Sequence, residues 1–249
     1  MYTTLHCVAL RTIRHNDCTS ILTAWSREQG RVSLIMPSGN GAESRRRRAL
    51  TGALALFECE ADMRPGQELS RVKDLRPIAV NSSLATGPVH AAVAMFLAEV
   101  TGSILREGAP DAVLWDIIAR LILQLNKAEG RALANFHLYY LAVLGRVLGI
   151  APDVATWRRG MSFDLIEGCF MTTPPLHGHF LDPRDAHMMR MLLDLASRCV
   201  NNTASVVSLG HLRLTRLGRA RALDIMLQYF NHHYAPLPTP SSLAVLRML

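Results

Sequence analysis

The chain is 249 residues long, 49% apolar and 19% charged, and carries a formal charge of +7. This composition excludes a disordered chain, and the longest apolar stretch, residues 138–150, is broken by Arg146 and too short to span a membrane. Five scattered cysteines (Cys7, Cys18, Cys59, Cys169 and Cys199) without a Cys-x-x-Cys pair exclude a disulfide framework and a zinc ribbon; they read as reduced core residues of a cytosolic protein.

The opening MYTTLHCVALRTIRH alternates like a strand and lacks the apolar block of a signal peptide. Alternation predicts strands over residues 3–13 and 19–27, joined by a turn at His15-Asn16-Asp17, and a third from Arg31 to Met36. Gly30 sits where a tight hairpin wants it. Pro37-Ser38-Gly39-Asn40-Gly41 then opens a flexible loop that contains the run Arg45-Arg46-Arg47-Arg48. A fourth strand covers residues 53–62, a turn lies at Arg64-Pro65-Gly66, and a fifth strand covers residues 69–75. Five short strands with one long loop suit a small closed barrel of the oligonucleotide-binding (OB) type over residues 1–80, and an SH3-like barrel is nearly as compatible.

From residue 88 the spacing turns helical, so the fold class is α+β: an N-terminal OB-type β-barrel followed by an all-helical body over residues 81–249. Pro88 starts a helix to about Arg106, Asp111 caps the next, and a third runs from about Arg131 to Leu148 and closes at Gly149. Residues 151–183 form an irregular segment rich in Pro, Gly and aromatic residues. Asp182-Pro183 begins a helix through Val200, Thr215 caps one over residues 216–233, and Ser241 or Ser242 begins a last short one.

Charge is unevenly spread: residues 1–80 hold 12 Lys and Arg against 8 Asp and Glu, and the middle of the chain is neutral. A basic β-domain on a helical body suits an extended anionic partner, nucleic acid first of all. The four successive arginines could follow a phosphate backbone, because a loop adapts and each guanidinium pairs bidentately. Arg11, Arg14, Arg27, Arg31, Arg64, Arg71 and Lys73 could extend that surface across the barrel, although any one of them alone is an ordinary surface charge. Stacking aromatics are few: Phe57 reads as core, Trp25 is evenly balanced, and Tyr2 remains. Binding dominated by the backbone rather than by base readout follows.

A second cluster, Arg213, Arg216, Arg219 and Arg221, lies at the start of a helix, where Arg213, Arg216 and Arg219, spaced at three, could share a face and welcome an anion, or equally form an internal salt-bridge face. In the neutral middle, Phe96 and Leu97 with Arg106, Arg120 and Arg131 could make an apolar groove rimmed by cations for an acidic-hydrophobic peptide; the apolar pair is as readily core. His177, His179, His187 and His232-His233, with Asp182 or Asp185, invite a metal hypothesis, but no zinc-hydrolase spacing appears and surface histidines are the plainer reading. No nucleophile elbow, phosphate loop or dinucleotide fingerprint is present, so no catalytic residue, metal or cofactor is expected and ATP-driven remodelling is implausible.

The order of segments resembles the bacterial recombination mediator family RecO. The resemblance rests on V-A-L-R-T-I at residues 8–13, S-R-E-Q-G-R-V-S at 26–33 and the stretch L-F-E-C-E-A-D-M-R-P-G-Q-E-L-S-R-V-K-D at 56–74. It continues in A-M-F-L-A-E-V at 94–100, A-N-F-H at 134–137, F-D-L-I-E-G-C-F at 163–170, L-T-R-L-G-R-A-R-A-L at 214–223 and S-L-A-V-L-R at 242–247. Two departures stand out. Many members carry four metal-ligating cysteines where this chain offers only Cys169, and many carry Lys-Gly after the third strand where this chain reads Met36-Pro37-Ser38-Gly39.

The resemblance implies an OB-fold, binding to single- and double-stranded DNA and promotion of strand annealing. It also implies partnership with RecR and with the acidic C-terminal tail of the single-stranded-DNA-binding protein, so that RecA is loaded. A cytoplasmic, nucleoid-associated protein without a membrane partner is the corresponding expectation. Two other classes stay open: an adaptor that uses the basic barrel for an acidic protein, and a metal-dependent hydrolase built on the histidines at 177–187.

Overall fold

The barrel closes because its first strand is long enough to pair twice. In this computed structural model, which describes residues 2–64, 66–79, 83–84, 87–105, 110–200, 209–234 and 240–248 (without the side chains of 195 and 198–200), β1 spans Tyr2–Arg14. Its first half runs antiparallel to β4 (Leu56–Asp62) and its second half antiparallel to β2 (Thr19–Ser26). The register shifts between Ala9 and Arg11, a bulge that turns the strand from one partner to the other. β3 (Gly30–Pro37) follows β2 through a turn in which Gly30 has φ 70°, a conformation glycine reaches without strain. β5 (Leu69–Pro77) pairs with β3 in parallel and with β4 in antiparallel, so the order β1-β2-β3-β5-β4 is closed. This is the five-stranded OB arrangement rather than an SH3-like one.

Alternation supplies the core. Leu5, Cys7 and Ala9 of β1 meet Leu22, Ala24, Val32, Leu34, Phe57, Cys59 and Ala61 inside the barrel, each buried. At about 1.5–3 kcal/mol for each large apolar side chain removed from water, this interior is what holds the small barrel. Two cysteines depart from expectation: Cys7 and Cys59 are core residues, whereas Cys18 and Cys169 are exposed. The side chain of Cys199, Pro65 of the expected turn and Arg106 lie outside the described residues.

The segment between β3 and β4 is not a loop throughout. Residues Ala42–Leu50, including the arginine run, form helix α1. Alanine and arginine are strong helix formers, and Glu43 in the first turn with Arg47 and Arg48 in the last complements the helix dipole. Those preferences outweigh Gly39 and Gly41, on which the loop expectation rested.

Beyond the barrel come α2 (Pro88–Ile104), α3 (Ala112–Lys127), α4 (Gly130–Val147), α5 (Pro183–Val200), α6 (Arg216–His233) and the short α7 (Leu243–Arg247). Their starts follow the expected chemistry: Asp111 accepts from the Leu114 amide, Asp182 from the Arg184 and Asp185 amides, and Thr215 from the Gly218 amide. α4 is buried on nearly all sides from Ala132 to Gly145 and packs against α5 and α6. Asn135, buried within it, donates to the carbonyls of Leu209 and Leu212 and so holds the approach to α6.

The body is not purely helical. Within the irregular segment, β6 (Ser162–Asp164) lies between β7 (Cys169–Met171) and β8 (Phe180–Leu181) in a small antiparallel sheet. Phe163 at its centre packs on Phe170 at 4.9 Å between ring centroids.

The chain divides into two compact units, Met1–Lys127 with Pro240–Leu246, and Ala128–Thr239 with Arg247–Leu249. The expected boundary near residue 80 marks the end of the barrel, and the first unit continues past it through α2, which packs on β1, and α3. Among the described residues, no helix is long and apolar enough to cross a membrane.

Candidate nucleic-acid interface

A nine-residue helix without a single buried residue needs other support, and α1 has it at both ends. Arg45 donates to the Asn40 carbonyl at 3.1 Å and Arg48 to the Gly39 carbonyl at 2.7 Å. Thr51 Oγ1 donates to the Arg47 carbonyl, and Thr12 Oγ1 of β1 donates to the Thr51 carbonyl. Glu43 sits 3.7 Å from Arg46 and 3.4 Å from Arg47, three and four residues on along the same helix face. One carboxylate against four guanidinium groups leaves a strong positive excess, and each guanidinium has five donors, so one carbonyl contact leaves most of them available.

Next to this helix the barrel wall is open. Across four strands the register sets two rows side by side: Arg11–Thr23–Ser33–Leu69 and Ile13–Ile21–Ile35–Arg71. All of these residues are exposed or half-buried, and Ile13 is 45% exposed. Arg31, outward on β3 opposite Trp25, adds a third cation. Among the described residues Arg11, Arg31 and Arg71 form no ion pair, so three unneutralised arginines border a strip of hydroxyls and isoleucines. OB barrels present this strand 2–3 face to oligonucleotides.

Other arginines named from sequence are occupied. Arg27 makes two hydrogen bonds to Asp116 on α3, at 2.9 and 3.1 Å, and its guanidinium holds that carboxyl below the usual aspartate range. Arg14 pairs with Asp17, and Arg64 with Asp62 at 2.7 Å, an interaction that lowers the aspartate pKa. Lys73 lies 5.4 Å from the centroid of the Tyr2 ring. Of the three aromatics, Tyr2 is exposed, Phe57 is core, and Trp25 is buried, with its carbonyl accepting from Trp115 Nε1. Tyr2 lies on the β1–β4 side, and among the described residues the two rows of the open face hold no aromatic ring.

In the second unit the expected arginine face does not form. Arg213 precedes the helix, which begins at Arg216. Arg216 donates to the Arg247 carbonyl, Arg219 is half-buried and donates to the Leu214 carbonyl, and Arg221 pairs with Asp185 at 2.7 Å. Of this set Arg213 and Arg216 are exposed and form no ion pair among the described residues. The postulated groove also fails on burial: Phe96 and Leu97 are both 0% exposed and belong to the core of the first unit. Arg120 on α3 and Arg131 on α4 are exposed, and Arg106 is not described.

Residues 1–81 match the family described as Recombination protein O N terminal. Along nearly its whole length the chain is similar to the DNA repair protein RecO of Phocaeicola vulgatus, with 32% identity over 243 residues that cover 97% of this chain and 96% of that protein. The DNA repair protein RecO of Bacteroides fragilis is 30% identical with the same coverage, and that of Porphyromonas gingivalis W83 is 31% identical over 96% of each chain. The chain belongs to the RecO family.

The cysteine-ligated metal of many RecO proteins does not fit these residues. Among the described residues, no group of three or more His, Cys, Asp or Glu side chains is arranged to hold a metal ion. Asp164, buried in β6, uses one carboxylate oxygen to accept from the Ile166 and Glu167 amides. Its other oxygen meets His177 Nε2 at 3.1 Å. Burial pushes this carboxyl up, but those amides and His177 outweigh it and hold the pKa low. His179 packs edge-on against His232, His187 lies against Trp157, and His233 Nε2 bonds the Leu165 carbonyl at 2.8 Å. These histidines serve packing and turns.

The residues that sequence reasoning missed in this RecO barrel are uncharged. Thr23, Ser33, Ile21 and Ile35 stand between the arginines, and the alternation of β2 and β3 already marked them as the outward set.

Proposed function

We propose that this protein is a DNA-binding mediator of repair and recombination. It holds phosphate groups along the open barrel face and α1, and the activity runs on binding energy without a bond-making step. Bringing two complementary strands onto a cationic surface lowers the electrostatic cost of pairing, which is how a protein without a nucleotide site promotes annealing. In this reading it works with RecR and with the acidic tail of the single-stranded-DNA-binding protein, places RecA on coated DNA, and resides in the cytoplasm at the nucleoid. Membership in a family of DNA repair proteins supports the setting. The single structural observation that carries the reading is the trio Arg11, Arg31 and Arg71, unpaired among the described residues on the exposed wall of an OB barrel.

Fluorescence anisotropy with a labelled single-stranded oligonucleotide, at several salt concentrations, tests it. Contact with about five phosphates gives a slope of log affinity against log salt of roughly −3.5. Absence of binding at low salt overturns the reading and leaves an adaptor for an acidic protein in front. Arg27→Ala serves as an internal control, since that guanidinium is held by Asp116. Its DNA affinity should stay within about twofold of the parent, because an exposed arginine that makes no phosphate contact contributes only through the weak long-range field.

A further inference from the structure

A small cleft lies between α1 and the barrel. Its volume is about 20 Å³, and Thr12 of β1, Ser20 of β2, Ser38 after β3, and Ser44, Arg47 and Arg48 of α1 bring polar groups to it. No carboxylate and no aromatic ring lines it. Among the described residues the hydroxyls of Ser20, Ser38 and Ser44 make no hydrogen bond to protein, whereas Thr12 is engaged with the Thr51 carbonyl. The cleft is therefore rich in hydrogen-bond donors that the fold itself leaves unused.

Size and charge together narrow the ligand. About 20 Å³ is room for one water-sized oxygen, far less than a base or a sugar. Two guanidinium groups reject a cation, and three free hydroxyls suit an oxygen with several lone pairs. Glu43 on the same helix faces Arg46 and Arg47 and, as a single carboxylate, leaves the positive excess in place. A non-bridging oxygen of a phosphate diester fits these constraints.

We infer that this cleft is a phosphate seat, in which Arg47 and Arg48 supply the charge and Ser20, Ser38 and Ser44 orient one non-bridging oxygen of a nucleic-acid backbone. The inference rests on the nucleic-acid reading above and deepens it. Met36 and Pro37 end the strand that carries Arg31, Ser33 and Ile35, and Ser38 follows it, so a phosphate seated here fixes the register of a nucleic-acid strand running on across the open wall. Hydroxyls and charges then do separable jobs. The hydroxyls add affinity that salt does not screen, and the guanidinium groups set the salt dependence.

That separation supplies the test. Full-length protein carrying Ser20→Ala with Ser44→Ala is compared with Arg48→Ala and with the parent, by anisotropy on one oligonucleotide across a salt series. The double serine variant should lose at least about fivefold in affinity with its salt slope unchanged, as two neutral hydrogen bonds would. Arg48→Ala should flatten the slope by about 0.7, the value for one phosphate contact on a single strand. Equal thermal unfolding of the variants and the parent shows that the fold is kept. A parent that binds DNA while the serine variant binds equally well overturns the seat and leaves the wider reading standing; a parent that does not bind overturns both. Amide NMR separates the sources of phosphate: shifts at Ser38 and Ser44 on adding the oligonucleotide support the seat. Shifts with inorganic phosphate alone, absent with the oligonucleotide, overturn it as a backbone site.

Discussion

Alanine at Arg45, Arg46, Arg47 and Arg48 together is expected to weaken single-stranded DNA binding roughly ten- to hundredfold near physiological salt, with a salt slope shallower by about 2. The helical state of the run sets that size. On an extended loop all four side chains could meet successive phosphates, and the slope would change by about 2.8. In α1 successive residues turn by about 100°, so only two or three of the four can face one backbone at once. The variant also loses the contacts of Arg45 and Arg48 with the Asn40 and Gly39 carbonyls, which the high helix propensity of alanine offsets, and retained helix content assigns the loss to charge. Circular dichroism and anisotropy on the same samples check both halves. Unchanged affinity would remove α1 from the interface and leave Arg11, Arg31 and Arg71 to carry it.

The second large effect is on stability and comes from His137 on α4. Burial, with a smaller contribution from the nearby Arg219 charge, pushes its pKa down to about 3, against 6.5 in an unfolded chain. Above 6.5 both states are neutral and burial of the ring has no pH-linked cost. Below 6.5 the unfolded chain takes up a proton that the folded chain refuses, so stability falls as pH drops, down to about 3. At one and a half units below 6.5, near pH 5, the loss is about 2 kcal/mol. Urea unfolding of His137→Leu and the parent at about pH 7 and pH 5 tests this. The variant should show a flatter difference between the two conditions, whatever its absolute stability, and an equally steep difference would put the acid sensitivity elsewhere. Glu28, Glu99 and Asp164 also have lowered pKa values, but their stabilisation is lost only below the ordinary carboxylate range, so the window above it belongs to the histidine.

Much of the barrel was legible because period-two patterning survives in short strands. Val32, Leu34 and Met36, one face of the alternating run in β3, all lie in the barrel core, and Gly30 is the turn residue its position between two strands suggests. Helix starts were legible for a local reason as well: Asp111, Asp182 and Thr215 each cap amides within three residues of themselves. What escaped was either very short or very distant. The sheet over residues 162–181 uses strands of two or three residues, below the length at which alternation can register. Helix α1 escaped because glycines on its flank were weighed above the propensity of the run. The partner of Arg27 is 89 residues away, so its occupation could not be seen. Phe96 and Leu97 show the same limit from the apolar side, since amphipathic spacing marks a face as sticky without saying whether the protein has already covered it.

The tail has a consequence for how the molecule is made. Glu99 on α2 accepts hydrogen bonds from Ser241 Oγ, Ser242 Oγ and the Ser242 amide, across 142 and 143 residues of chain. The barrel can close as soon as residue 77 has left the ribosome, because all its pairings are local to the first third of the chain. The unit around it cannot be finished until residues 241 and 242 have been added. A nascent chain stopped after residue 239 should therefore protect barrel amides from exchange with solvent while α2 still exchanges readily, and extension past residue 242 should slow that exchange.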